Sequence, residues 1–121
     1  TTLTDVKRTE RGWAGHFCAA SDCEFRLNTL LELGDTRVVV STVGRYTNGE
    51  GFVTVGCGRH FETMAFHAYL EDGKWWDADV CREIDFDSNW CLPKYDMENE
   101  ANEMHNDVVK ELSDKLREGS I

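Results

Sequence analysis

The chain predicts an α+β domain: an antiparallel β-sheet meander with a C-terminal α-helix packed on one face. Two patterns carry this. Phe25, Leu27, Thr29, Leu31 and Leu33 alternate with Arg26, Asn28, Leu30 and Glu32, the period of a half-buried strand. Met97, Ala101, Met104, Val108, Leu112 and Leu116 recur at spacings of three and four, with Val109 beside them. That is the stripe of one amphipathic helix, over about 99–117. At 121 residues and 40% hydrophobic content, residues 1–121 suit a single domain that buries one core.

The other elements follow in order. Residues 12–18 read as a first strand. Gly34-Asp35 turns the chain, and residues 37–43 are β-branched and read as a buried strand. Asn48-Gly49 with Gly51 marks a hairpin loop. Residues 52–56 and 61–70 follow as strands, and Glu71-Asp72-Gly73 turns again. Acids crowd the start of the helix and Lys110, Lys115 and Arg117 sit late, as the helix dipole favours. Gly119 is its stop signal.

Charge is distributed unevenly. Residues 71–107 contain 12 acids against Lys74, Arg82 and Lys94, and so carry −9 of the chain's −10. Residues 1–70 hold eight acids and seven bases. Such a field repels nucleic acid and anionic membrane and attracts basic surfaces. Within it, Asp77, Asp79, Glu83, Asp85 and Asp87 all fall on odd positions, and Trp76, Ala78, Val80, Ile84 and Phe86 on even ones. On one strand the five acids would share a face, about 6.6–6.8 Å apart for alternate residues. That row would resemble backbone phosphates. Cys81 and Arg82 break the alternation, which predicts a bend or bulge. Trp75 and Trp90 are candidate apolar anchors for a partner. The plain alternative for the acids is a solvated sheet face, and for either Trp a place in the core.

Other chemistry is weaker. Cys18 and Cys23, with Cys57 and His60, offer a Cys3His zinc set, with His16 as a substitute ligand. Five cysteines cannot pair fully within one chain, and buried reduced thiols are the simpler expectation, with no resident metal or cofactor. His60-Phe61-Glu62 lacks the Pro-Cys-x-x-Cys that a zinc deaminase needs. Glu62 and His67 have opposite parity on one strand, which separates them as an acid–base pair. No phosphate-binding loop or hydrolase motif appears, so no catalytic residue is assigned.

Several blocks together carry a resemblance. They are Gly12-Trp13-Ala14-Gly15-His16-Phe17 and Cys23-Glu24-Phe25-Arg26; then Val39-Val40-Ser41-Thr42-Val43-Gly44 and residues 61–68. Asp77-Ala78-Asp79-Val80 and Phe86-Asp87-Ser88 complete the set. Over roughly residues 7–112 the chain resembles small proteins of uncharacterised function encoded by phages and other mobile elements. Small acidic proteins of that kind resemble inhibitors of host defence, such as anti-CRISPR or anti-restriction proteins. The resemblance implies a partner and supplies no site residue. The first expectation is therefore a phage-type inhibitor in the host cytoplasm. It would bind the basic surface of a nucleic-acid-handling protein, foremost a CRISPR effector, through Asp77, Asp79, Glu83, Asp85, Asp87 and Trp75. A small zinc-binding interaction module is the second reading. A small enzyme using His60, Glu62 or His67 is the third. No apolar run reaches the roughly 18 residues of a membrane span, and the polar amino-terminal residues lack a signal-peptide core.

Overall fold

The structure is a computed structural model, and it describes residues 5–12, 23–47, 52–53, 61–88 and 98–121. Among them lie six strands and one helix: β1 (Lys7–Glu10), β2 (Cys23–Leu33), β3 (Thr36–Thr47), β4 (Phe52–Val53), β5 (Phe61–Glu71), β6 (Trp75–Ile84) and α1 (Glu98–Glu118). The sheet order is β1-β2-β3-β5-β6, every pair antiparallel, with β4 paired to the end of β3. The predicted α+β meander and its C-terminal helix are therefore present. The strand expected at residues 12–18 falls almost wholly outside the described residues, and the first strand seen is Lys7–Glu10.

Local chemistry explains the turns. Asp72 (φ 54°) and Gly73 (φ 66°) both adopt left-handed backbone, and Lys74 N–H donates to the Glu71 carbonyl at 2.9 Å. That tight turn twists in the sense a hairpin needs, and Asp-Gly tolerates it. The helix ends as its sequence predicts. Gly119 N–H donates to Leu116 O at 3.1 Å and Ser120 N–H to Lys115 O at 2.9 Å, a paired closure of the last turn.

The helix buries Ala101, Met104, Val108, Val109, Leu112 and Leu116 against Leu31, Val38, Val40, Phe61, Ala65 and Ile84. Gly44 lies directly opposite Phe61 on β5, and the Phe61 ring fills the space where a side chain on residue 44 would stand. Phe25 meets that ring edge-on, with centroids 5.4 Å apart. Gly44→Ala is therefore expected to destabilise the domain by about 1–3 kcal/mol, the usual cost of overpacking. A denaturant midpoint unchanged from the parent would refute that assignment.

The sheet is strongly curled. Arg11, just after β1, donates to the carbonyl of Trp76 on β6, although three strands separate β1 from β6 in the sheet order. Strands sit about 4.8 Å apart, so a flat sheet would hold β1 and β6 some 19 Å apart, beyond an arginine's reach. Curling brings the sheet edges together over the face opposite the helix. On that face Asn28, Leu30, Val39, Ser41, Val43 and Phe66 are all buried.

Candidate functional site

The acidic segment forms the β5–β6 hairpin and the loop after it. Near the carboxyl end of β6 the register is regular: Ile84 lies opposite Ala65 and joins the helix-side core, and Glu83 lies opposite Phe66 on the other face. Beyond that point β6 moves five positions, from 83 to 78, while β5 moves two, from 66 to 68. The bulge predicted at Cys81-Arg82 is present, and it holds three extra residues. Three is odd, so the faces exchange. Asp77 then lies opposite Tyr69, on the same face as Glu71 and Trp75. The single acidic row is thereby corrected: Asp77 and Glu83 project from opposite faces. Asp79 lies within the bulge, and Asp85 and Asp87 follow the end of the strand.

Two of these acids have local work. Asp77 Oδ1 accepts from Ala78 N–H at 2.8 Å, and Asp79 Oδ1 accepts from Cys81 N–H at 3.1 Å. With Arg11 on the Trp76 carbonyl, they satisfy backbone groups along a strand that is at the sheet edge among the described residues. Such caps, with their charge, discourage another chain from adding a strand there. Asp85 and Asp87 are exposed, and the loop that carries them is anchored to the helix. Asp87 N–H, Ser88 N–H and the Ser88 hydroxyl all donate to Glu111, at 2.7, 2.8 and 2.7 Å. Partial burial opposes ionisation of Glu111, but these donors and Lys115, 3.0 Å away, hold its carboxyl down to about 2.

The hairpin also gathers apolar surface. Among the described residues the exposed large hydrophobics are Tyr69, Leu70, Trp75 and Val80, and all four lie on β5 and β6. Trp75 was legible in the sequence as an anchor; Tyr69 and Leu70 read only as part of the 61–70 strand, and Val80 as one of the apolar even positions opposite the acids. Desolvation, then the carboxylates of Glu71 and Asp77, raise the Tyr69 phenol above its ordinary range. On the opposite face of the hairpin the Arg37 guanidinium stacks over Trp76 at 4.3 Å and pairs with Glu32 at 3.0 Å. Arg11 grips Asn28 Oδ1 through Nε and Nη2, at 3.0 and 2.8 Å.

A separate polar chain crosses the helix–sheet interface. His105, 1% exposed, lies 2.7 Å from Thr29 Oγ1 through Nε2 and 2.7 Å from Thr42 Oγ1 through Nδ1. Thr29 also contacts Glu10 at 2.7 Å, and Thr42 contacts Thr63 at 2.7 Å. Ionised Glu10 can only accept, so Thr29 donates to it and receives the Nε2 proton of His105. Neutral His105 then accepts at Nδ1 from Thr42, which accepts from Thr63. Burial, outweighing the nearby Glu10, lowers His105 to about 4.

The remaining sequence candidates that the structure describes do not come together. Cys18, Cys57, His60, Cys91, His16, Trp13 and Trp90 lie outside the described residues; Cys23 is buried and Cys81 exposed. Among the described residues no three His, Cys, Asp or Glu side chains gather as a metal cluster. Glu62 lies opposite Val43 and His67 opposite Val38, on different faces of the sheet. His67 lines a cleft of about 210 Å³ with Asp35, Thr36, Arg37, Ala68, Arg82 and Ile121, and Glu62 is not part of it. No described helix is long and apolar enough to cross a membrane. Comparison with protein-family models, with curated proteins and with solved structures finds no match.

Proposed function

We propose that this protein is an inhibitor of the phage type, which binds a basic surface on a nucleic-acid-handling host protein in the host cytoplasm. The observation that carries the reading is the β5–β6 hairpin: exposed Tyr69, Leu70, Trp75 and Val80 are set among Glu71, Asp72, Asp77 and Asp79. Apolar anchors supply contact area, and the carboxylates steer a cationic partner onto them. Asp85 and Asp87 add charge in the loop that Glu111 anchors to the helix, and Glu83 adds it on the other face of the hairpin. Inhibition then needs no chemistry by this chain, because an occupied basic groove excludes nucleic acid. A CRISPR effector is the first candidate partner, by analogy with other small acidic inhibitors.

The test uses the purified protein as bait in extract from a host with active defence systems. A captured protein is then challenged with its own nucleic acid. Mutual exclusion, with binding that weakens steeply as salt rises, is the expected result. A partner that holds nucleic acid and this protein together would refute the reading.

A further inference from the structure

We propose that one face of the β5–β6 hairpin is a clamp for an arginine side chain of the partner, formed by Tyr69, Trp75, Glu71 and Asp77. The inference rests on the acidic-surface reading above and names what that surface grips. Tyr69 lies directly opposite Asp77, and Glu71 directly opposite Trp75, so the four side chains share a face. The two aromatics occupy one diagonal of this tile and the two carboxylates the other. Diagonal neighbours in an antiparallel pair lie about 7–8 Å apart, a span that a flat cation can bridge. Tyr69 and Trp75 are each 40% exposed, and the β5 residues in the core with the helix are Phe61 and Ala65, further along the strand from this tip.

An aromatic face attracts a cation, and a carboxylate beside it fixes the cation's orientation. Guanidinium suits both roles better than ammonium, being planar, weakly hydrated and fork-shaped. The same hairpin already shows this chemistry on its other face, where Arg37 stacks on Trp76 and pairs with Glu32. The internal arginine is thus one worked case of the arrangement that the tile presents outward. Asp77 also feels Arg11, whose guanidinium is committed to Asn28 and the Trp76 carbonyl. Lys74 in the turn is a cation of the chain itself close to the tile in sequence.

The test titrates the full chain with hexa-arginine and hexa-lysine peptides, read by Trp fluorescence and by amide and indole NMR shifts. The parent should bind hexa-arginine more tightly than hexa-lysine, with Tyr69 and Trp75 among the signals that move. The double variant Tyr69→Ala, Trp75→Ala keeps the net charge and should bind hexa-arginine about tenfold more weakly, with circular dichroism unchanged. Glu71→Gln with Asp77→Asn should lose a similar factor. Equal binding of hexa-arginine by the parent and the folded aromatic variant would overturn the clamp and leave the acidic-surface reading standing. Failure of the parent to bind either peptide at low salt would overturn both.

Discussion

Replacing His105 by leucine is expected to cost about 2–4 kcal/mol of folding stability at neutral pH. Leucine has the bulk to fill the site but neither accepts from Thr42 nor donates to Thr29. The Thr42 hydroxyl, fully buried, would then lack the acceptor it uses in the parent. The parent should also show a distinctive acid dependence. His105 has a lowered value of about 4 in the folded chain, against 6.5 when exposed. As pH falls below 6.5 the unfolded chain takes up this proton first. Stability is therefore fully present above 6.5 and is lost down to about 4, by about 3 kcal/mol in total. His105→Leu lacks this term. Urea unfolding at a series of pH values should show the gap between parent and variant closing over that window. Parallel curves, with a constant gap from pH 7 to 4, would sink the assignment. Glu111, held near 2 in the folded chain against 4.5 when exposed, loses its contribution between those values, mostly below this window and equally in parent and variant.

Neutralising Asp77, Asp79, Glu83 and Asp85 to Asn or Gln should reduce inhibition of the partner by at least about tenfold, mainly through slower association. The substitutions take the net charge from −10 to −6. Stability should hold, because asparagine keeps the side-chain oxygen that accepts from Ala78 N–H and Cys81 N–H. Alanine at 77 and 79 would confound the test, since it would remove those caps as well as the charge. Association rates measured against the captured partner at two salt concentrations decide the matter. A folded variant that associates and inhibits like the parent would remove charge as the basis of binding. Apolar contact through Tyr69, Leu70, Trp75 and Val80 would then have to carry it.

The sequence by itself determined the central strands, the turns and the helix, though not β1. Period-two alternation marks β2, the three–four stripe marks α1, and Asp72-Gly73 and Gly119 mark where the chain turns or stops. These signals are local, arising from backbone geometry within a few residues, so they survive without tertiary context. The sequence also concentrated the charge and exposed the irregularity at Cys81-Arg82. What it left open was which way each side chain finally points. Strand parity alone assigned the five acids to one face. The bulge is an odd count of residues, and that count is set by how β6 pairs with β5, not by β6 itself. Likewise, Asn28 and Leu30 read as the solvent side of a half-buried strand. Both are buried, and on that face Arg11 links Asn28 to the Trp76 carbonyl, a contact between residues 65 positions apart. His105 read as a helix residue beside a core stripe. Its role depends on Thr29 of β2 and Thr42 of β3 meeting at the ring, backed in turn by Glu10 of β1 and Thr63 of β5. Register and curvature arise from pairing between distant segments, and only the tertiary structure brings those segments together.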